Sequence, residues 1–332
     1  MPHFFELSAT VTKFGFCATL IINMIFISLT LSYTRAITGT YRKMLVVFAM
    51  TCILFSIVEA IVQPSIHNFN GGLVYFSLND NPIFSQGFLR MTLVVYSGCL
   101  IAQITFIAIQ FLFRYFTIIH HPFLKTFKGP KMLIWIFYLL GTGSIYGMLV
   151  LLCLESDDYS DEYMATEMRN VYLRDIKDTP RVLAVAYQNG KVRVGNVIFL
   201  LSASAMFGLQ YVIIIFCGLT MQNAMQTKLK NLSNRNRKLE RQFFKALTVQ
   251  IILPTFLITI PVGIVLLLPL LDLKVNIQTG LIFVLYSFYP PLDSIATMTI
   301  IKEYRYSLKE LFKDLRSIRL KERGSLDETS HG

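Results

Sequence analysis

The sequence is poor in charged residues for its length. Only 15% of its 332 residues are Asp, Glu, Lys or Arg, whereas 54% are hydrophobic. Soluble domains carry roughly 25% charged residues, so this composition excludes an ordinary soluble protein. The sequence therefore indicates an integral membrane protein.

Several chemical signatures are also absent. The five cysteines are odd in number and four lie inside apolar runs, so no disulfide framework is expected. We find no metal-ligand spacing, no paired nucleophile and base, and no cofactor-binding loop. We therefore expect no metal, no cofactor and no enzymatic activity. The net charge of +11 forms no basic patch on a soluble face, so nucleic acid is not an expected partner.

Seven apolar runs are long enough to cross a bilayer, which takes about 20 helical residues. A single span must be helical, because hydrocarbon offers no partner for an open backbone. The predicted fold class is therefore all-α, a seven-transmembrane helix bundle within residues 1–301. Gly143 and Gly147 have the spacing of small residues at helix contacts. The predicted spans are 11–33, 44–63, 91–113, 132–154, 196–219, 247–270 and 277–301.

The distribution of Lys and Arg predicts the orientation. The connections between spans 1 and 2, 3 and 4, and 5 and 6, together with the C-terminal tail, hold 22 of the 31 basic residues. Basic residues in short connections stay in the cytoplasm, so we expect the N-terminus outside and the tail inside. The first residues lack the basic segment of a cleavable signal peptide, so we expect the first span to serve as the insertion signal.

After the last span the pattern changes to that of an amphipathic helix. Apolar residues recur with helical spacing from Tyr304 to Ile318, and basic residues fill much of the rest. We expect residues 302–321 to form a helix on the inner surface of the bilayer. Residues 322–332 are expected to be disordered.

Arg114 ends the third span and is followed by Tyr115. An arginine at this depth either extends to the lipid headgroups or forms a latch, a contact with neighbouring helices that activation breaks. Asp293, an acid inside the seventh span, should likewise have a partner or contact water, and Arg114 and the inner end of the second span are its possible partners.

The connection between spans 5 and 6 is basic and lacks Pro and Gly, so the flanking helices can continue beyond the membrane. Its Lys238, Arg241 and Lys245 either only fix the topology or form a docking surface for a cytoplasmic transducer. Pro261 and two further prolines weaken the sixth span. A weakened helix beside a basic connection would suit a hinge that moves the inner end.

The candidate ligand-binding residues are polar or aromatic and lie in the outer or middle thirds of different spans. They are Glu59, Tyr96, Gln103, Thr259 and Tyr286. Glu59 is alternatively an interfacial carboxylate in contact with water. The scarcity of charge in this region suits a small, largely uncharged ligand. The long connection between spans 4 and 5 is either a solvated charged loop or a lid over the pocket.

Several short motifs follow one another in a set order. They are Gly39-Thr40-Tyr41-Arg42, Pro64 with His67, Phe113-Arg114-Tyr115 with His121-Pro122, Leu239 to Gln250, Tyr289-Pro290-Pro291-Leu292-Asp293, and Ile301-Lys302-Glu303-Tyr304-Arg305. Their order and spacing resemble the nematode seven-helix chemoreceptors of the Str type, whose superfamily includes the diacetyl odorant receptor. The resemblance covers nearly the whole chain.

The resemblance implies a G-protein-coupled receptor in the plasma membrane, on the sensory cilia of chemosensory neurons. Its partners would be a small-molecule odorant or other chemical cue, a heterotrimeric G protein and the lipid bilayer. By resemblance, Arg114 corresponds to the helix-3 arginine of rhodopsin-like receptors, and Pro290 lies in a variant of their Asn-Pro-x-x-Tyr element. Phe113 replaces the acid before that arginine, and Leu89 and Arg90 lie where the rhodopsin-type disulfide starts. Neither the acid–arginine lock within the helix nor the disulfide is therefore expected.

Two other functions remain open from the sequence. A transporter would have structural repeats and several mid-membrane polar groups. This sequence has only Asn23, Gln103 and Asp293 and no matching halves. A ligand-gated channel of the insect odorant receptor kind would have its N-terminus inside, which the charge distribution opposes.

Overall fold

The computed structural model describes residues 2–33, 39–227, 234–311 and 313. Six helices in these ranges have the length and apolar composition needed to cross a membrane. The chain is a predominantly helical, multi-pass membrane protein. The helices are α1 (Pro2–Ser28, followed by a π-helical turn at Leu29–Tyr33), α2 (Gly39–Val62), α3 (Gln86–Ile119), α4 (Leu133–Cys153), α5 (Asp158–Tyr172), α6 (Val194–Thr227), α7 (Asn234–Pro254), α8 (Ile260–Leu270, joined to α7 by a π-helical turn at Thr255–Thr259), α9 (Leu281–Tyr286) and α10 (Tyr289–Ile300).

α3 is the central helix of the bundle. It packs against α2, α4, α6 and α7, and its buried side chains include Tyr96, Gln103 and Arg114. The outward faces of α4 and α6 carry exposed apolar side chains such as Phe137 and Val212. Such side chains face hydrocarbon when the bundle lies in a bilayer.

α3 and α4 approach each other closely at Gly98 and Gly143. A Cβ atom built on Gly98 would lie 2.6 Å from the carbonyl oxygen of Gly143, and one built on Gly143 would lie 3.1 Å from that of Gly98. Only glycine therefore fits this crossing, as is common at helix contacts in membranes.

The seventh apolar run, predicted as one span over 277–301, is interrupted. It begins with a short strand and continues as α9 and α10, which are separated at Ser287 and Phe288. Pro290 and Pro291 lie in the first turn of α10. Proline has no N–H to continue a helix but is tolerated in a first turn, so a new helix begins here.

A helical segment over residues 302–311 follows α10. Tyr304 on this segment is fully buried, and its hydroxyl lies 2.8 Å from Thr30 Oγ1 in the π-helical turn that follows α1. Leu308 and Leu311 pack against the same core. The segment is thus fastened to the bundle through its apolar side chains. The rest of the predicted amphipathic helix and the predicted disordered tail lie outside the described residues.

Four strands form an antiparallel sheet across one end of the bundle. They are β1 (Pro64–Phe69), β2 (Gly72–Ser77), β3 (Arg181–Val185) and β6 (Asn276–Gln278), in the order β3-β2-β1-β6; β4 (Tyr187–Gln188) and β5 (Lys191–Val192) form a separate hairpin. The α2–α3 connection supplies β1 and β2, the α4–α6 connection supplies β3, and the α8–α9 connection supplies β6. We call the four-stranded sheet, the β4–β5 hairpin and α5 the cap. The two ends of the bundle are then the capped end and the Arg114 end.

A tight turn at Asn70 and Gly71 joins β1 to β2. Both residues have positive φ, 51° and 80°, as a type I′ hairpin turn requires. Leu73 packs towards the bundle, whereas Val74 and Phe76 pack against α5. The hairpin is therefore buried on both faces. The all-α prediction holds for the bundle but misses these strands.

The α4–α6 connection is folded. Met164 and Met168 on α5 are fully buried. Arg181 on β3 donates from Nε to Asp161 Oδ1 on α5 at 2.7 Å, and these two side chains are only 11% and 10% exposed. The interpretation of this connection as a solvated charged loop is therefore wrong in part, because the connection is folded and pairs some of its charge inside the cap, although other charged side chains such as Arg169 stay exposed.

The cap encloses a histidine, which makes its stability sensitive to pH. His67 on β1 is fully buried. Its Nδ1 lies 3.1 Å from the Tyr172 hydroxyl, and its Nε2 lies 3.5 Å from Glu167 Oε1. Burial lowers the pKa of His67, and the nearby Glu167 carboxylate offsets this shift only in part. The folded cap thus binds a proton less readily than the unfolded chain does.

The temperature of unfolding is therefore expected to fall as the pH drops below about 6.5, the ordinary pKa of histidine. The stabilisation is complete above that pH and is lost progressively down to the lowered pKa of the folded state. Thermal unfolding of the purified protein at a series of pH values measures this. His67→Asn has no ring to protonate and should lose that part of the pH dependence. An unchanged pH dependence in His67→Asn would contradict the prediction.

Candidate functional site

Four of the five predicted ligand-binding residues meet between α2, α3 and α9. The Tyr96 hydroxyl donates to Glu59 Oε1 at 3.3 Å, and the Tyr286 hydroxyl donates to Gln103 Oε1 at 2.6 Å. The Phe55 ring lies between the two tyrosines, with centroid distances of 4.8 Å to Tyr96 and 5.3 Å to Tyr286. All five side chains are buried. Glu59 is therefore not a water-exposed interfacial carboxylate.

This cluster ties three helices together through contacts within the protein. Its members pack against one another, so their direct contact with a ligand stays a prediction. The polar groups are also incompletely paired, because Gln103 Nε2 has no hydrogen-bond partner within the described ranges. A buried polar group without a partner is costly, so each existing bond in the cluster matters for stability.

Replacing Tyr286 with phenylalanine is expected to lower the free energy of unfolding by about 1–3 kcal/mol, because Gln103 Oε1 would lose its donor. Thermal unfolding in detergent measures the loss. Tyr289→Phe is the matched control. Tyr289 is equally buried and stacks on Tyr286, but its hydroxyl has no partner in the part of the chain that the structure describes. Equal losses in the two variants would contradict the role of the hydrogen bond.

The fifth predicted residue, Thr259, lies apart from this cluster on the wall of a cavity of about 270 Å³. The cavity lies nearer the capped end, between α3, α4, α6 and α8. Its size is just below the usual range of small-molecule sites. Its lining residues are Leu100, Ile104, Tyr146, Ser204, Phe207, Ile258, Thr259, Val262, Gly263, Leu266 and Leu267.

The lining of this cavity offers few free polar groups. The Ser204 hydroxyl donates to the Leu200 carbonyl of its own helix at 2.8 Å. The Thr259 hydroxyl accepts from the Tyr211 hydroxyl at 2.9 Å, and Tyr211 also bonds Thr255 at 2.8 Å. The cavity therefore suits a small, largely apolar molecule. Tyr211 on α6 also braces the π-helical turn between α7 and α8, directly beside the cavity.

Arg114 forms a buried ion pair at the other end of the bundle. Its Nη1 lies 3.2 Å from Glu240 Oε2 on α7, with the two side chains only 4% and 22% exposed. The guanidinium lies over the rings of Tyr41 and Phe243, 3.6 Å and 4.0 Å from their centroids. Cation–π contacts of this kind add to the ion pair. Arg114 therefore links α3 to α7 and to the start of α2, and it does not extend to the lipid headgroups.

Asp293 is not the partner of Arg114. Its Oδ2 accepts from Gln250 Nε2 on α7 at 3.1 Å, and the next residue, Ser294, donates to Asn23 Oδ1 on α1 at 2.8 Å. The proposed pair between Asp293 and Arg114 is therefore wrong. The other predicted partner of Asp293, the inner end of the second span, gives it no hydrogen bond within the described residues.

The remaining predicted activation residues surround this ion pair or lie along the same helices. Tyr115 is half-buried and packs edge-on against Phe216 of α6, with ring centroids 5.9 Å apart. Lys238 is exposed on α7. Arg241 and Lys245 line a basic cleft together with Arg305. This end of the bundle thus presents cations around a buried arginine.

Two predicted prolines lie at breaks in helices. Pro261 lies in the first turn of α8, just after the π-helical turn, and Pro290 lies in the first turn of α10. At both sites the regular backbone hydrogen bonds of the helix are interrupted. The weakened region of the sixth span is therefore the π-helical turn that Tyr211 braces.

Sequence reasoning missed Glu240, the residue that completes the ion pair. A signal for it was present, because Glu240 is the one acidic residue in the basic stretch 228–245. Gln250, Tyr211 and Phe243 were also missed. These are ordinary residues of an apolar or polar helix, and only the packing of α7 and α6 against their neighbours reveals their contacts.

The fold and the two sites define a class: a multi-pass helical membrane protein with a small cavity near one end and a buried ion pair at the other. Comparison with known proteins identifies the family. The chain matches the family model of the serpentine type 7TM GPCR chemoreceptor Str over residues 8–309. The chain therefore belongs to the Str family of seven-transmembrane G-protein-coupled chemoreceptors, which are receptors rather than enzymes.

Curated nematode proteins support this assignment. The chain is 37% identical to "G-protein coupled receptor str-33" of Caenorhabditis elegans over 314 residues, which cover 92% of this chain and 91% of that protein. It is 26% identical to "Serpentine receptor class r-10" of Caenorhabditis briggsae, over 95% of this chain and 91% of that one. The resemblance seen in the sequence motifs is thus confirmed.

Proposed function

We propose that this chain is a chemosensory receptor that binds a small, largely uncharged molecule in the cavity and activates a heterotrimeric G protein at the Arg114 end. One observation carries the proposal. The same continuous helical element, α7 with α8, lines the cavity and supplies Glu240 to the ion pair with Arg114. A ligand in the cavity thus acts on the element that closes the other end.

The distance between the two sites is compatible with movement of a single helix. Thr259 and Glu240 are 19 residues apart in the sequence, which is about 28 Å along a helix. The π-helical turn at Thr255–Thr259 lies at the end of this stretch beside the cavity. We infer that bending at this turn swings the end of α7 away from α3 and breaks the ion pair. The ligand shifts the equilibrium towards this open form, as any ligand does that binds one form better.

The charge distribution supports the orientation that this mechanism needs. Most basic residues lie in connections at the Arg114 end or in the tail, which makes that end cytoplasmic and the capped end extracellular. The helical segment after α10 would then lie along the inner leaflet with its basic residues towards the headgroups. Membership of the chemoreceptor family supports a place in the plasma membrane of sensory cilia.

A G-protein dissociation assay in cells that express this chain tests the proposal. A panel of small volatile and water-soluble compounds is screened, and at least one is expected to cause dissociation. Arg114→Ala should abolish the response at equal surface expression. A ligand-evoked current that persists without G proteins would instead favour a ligand-gated channel.

A further inference from the structure

We propose that ligands reach the cavity from the hydrocarbon of the bilayer, through an opening between α6 and α8, and that the cap closes the route from water. The proposal rests on the cavity being the ligand site. It further specifies the ligand as a molecule that partitions into lipid. Three sets of observations support the proposal.

The cap is fastened directly to α8 above the cavity. The buried side chain of Asn68 on β1 donates to the Val265 carbonyl at 3.0 Å, and the Tyr187 hydroxyl on β4 donates to the Leu270 carbonyl at 2.9 Å. The two acceptors lie on either side of Leu267, which lines the cavity. The hairpin of β1 and β2 beside them is buried on both faces. A ligand arriving from water would have to separate this packed sheet from the bundle.

The wall between α6 and α8 is open. Ser204 on α6 and Leu267 on α8 both line the cavity and are exposed on the outer surface of the bundle. Their neighbours on the same outer surface are apolar and exposed, with Leu201 at 55% and Ile264 at 54%. At this depth in a membrane-spanning helix such a surface faces hydrocarbon. The opening therefore leads into the lipid.

The chemistry of the interior matches a ligand that arrives through lipid. The hydroxyls of Ser204 and Thr259 already bond within the protein. No charged residue lines the cavity, and Tyr146 is the only other side chain with a polar group among the lining residues that the structure describes. A charged or strongly polar molecule would lose its hydration there without compensation. An uncharged, mainly aliphatic molecule has little hydration to lose, because it enters the cavity from hydrocarbon.

The cavity itself can be tested by filling it. Gly263 lines it, and a Cβ built on Gly263 would meet no atom within 4 Å. Gly263→Leu should therefore occupy the space without displacing the helices. Gly208→Leu is the matched control, because a Cβ there also meets nothing within 4 Å and Gly208 lies on the exposed side of α6, away from the cavity.

The full-length protein in phosphatidylcholine nanodiscs is exposed to octanol that carries an aliphatic diazirine. Photolysis after increasing times, followed by mass spectrometry, gives the rate and extent of labelling at Ile258 and Leu266. Gly263→Leu is expected to reduce the extent of labelling about tenfold, or by ~1.4 kcal/mol of binding free energy. Gly208→Leu should leave it unchanged. Equal labelling of Gly263→Leu and the unmodified chain would overturn the cavity as the site.

The route is tested by the rate of labelling. Leu267→Trp at the opening should slow it about tenfold, which corresponds to a barrier raised by ~1.4 kcal/mol. Ile264→Trp, on the same outer surface but away from the cavity, should not. Tyr187→Phe loosens the cap and should leave the rate unchanged. Faster labelling of Tyr187→Phe, or an unchanged rate in Leu267→Trp, would overturn the lipid route.

These measurements are independent of signalling. Labelling reports occupancy without a G protein, so a failure of the lipid route leaves the receptor proposal to be judged by G-protein dissociation. Conversely, a chain that is labelled by the probe from lipid but never causes G-protein dissociation would support the lipid route and contradict the proposed coupling.

Discussion

Ligand-independent activation of the G protein is expected to rise about tenfold when Glu240 is replaced with glutamine. Arg114 would then lose its charged partner while it remains buried over Tyr41 and Phe243. A hydrogen bond to a charged group contributes roughly 1.5–3 kcal/mol, and each 1.4 kcal/mol is a factor of ten in an equilibrium. The closed form, in which the ion pair is intact, loses this stabilisation. The open form, in which the ion pair is already broken, loses nothing. Basal dissociation of the G protein, normalised to receptor at the cell surface, is the measurement.

Glu310→Gln is the matched control for that variant. It removes the same charge at the same end of the bundle, but Glu310 is exposed on the helical segment after α10. Its basal activity should equal that of the unmodified receptor. Basal activity in Glu240→Gln no higher than in Glu310→Gln would show that the ion pair does not restrain activation.

The second large effect concerns folding. Gly98→Leu is expected to lower the free energy of unfolding by about 3 kcal/mol or more, since overpacking a well-packed site costs about 1–3 kcal/mol even where side chains can adjust. Here the obstacle is backbone: the first added carbon would lie 2.6 Å from the carbonyl oxygen of Gly143. α3 and α4 would have to separate. The fraction of chain that reaches the cell surface and the unfolding temperature in detergent measure the effect.

Gly141→Leu serves as the control for Gly98→Leu. Gly141 lies two positions before Gly143 on α4, and a Cβ there meets no atom within 4 Å. This variant should fold normally. Normal surface expression of Gly98→Leu would mean that the two helices do not depend on their close approach.

The helical part of the fold was largely predictable because hydrocarbon restricts it. Long apolar runs with few charges leave the chain little choice but helices, and six such helices occur within the described residues. The spacing of Gly143 and Gly147 also indicated a helix contact. It did not reveal that Gly98 on α3 is the partner, because a small-residue spacing identifies one face of a helix and not what lies against it.

The cap was harder to predict because its partners are distant in sequence. The β1–β2 hairpin has a clear signal in Asn70-Gly71 between two apolar runs, although no strand was predicted there. No local pattern indicates that Phe69 pairs with Asn276, or Leu73 with Ala184. Strand pairing across such separations follows from how the helices bring the connections together.

The candidate sites were likewise predictable only in part. Residue type and depth singled out Arg114, Gln103 and Tyr286, since a polar group deep in a span must find a partner. The identity of that partner depends on rotation and tilt of the neighbouring helix. Gln250 rather than Arg114 therefore meets Asp293, and Glu240 is the residue that Arg114 meets.

The sheet has a consequence for any attempt to exchange recognition between relatives. Its strands come from three separate connections, and β1 is bonded to strands from two of them, its own and the α8–α9 connection. A chimera that exchanges one connection alone would set a foreign strand edge against native partners and disturb the hydrogen bonds that fasten the sheet to α8. The three connections therefore behave as a single exchangeable module, and they must be transplanted together for the cavity beneath them to keep its shape.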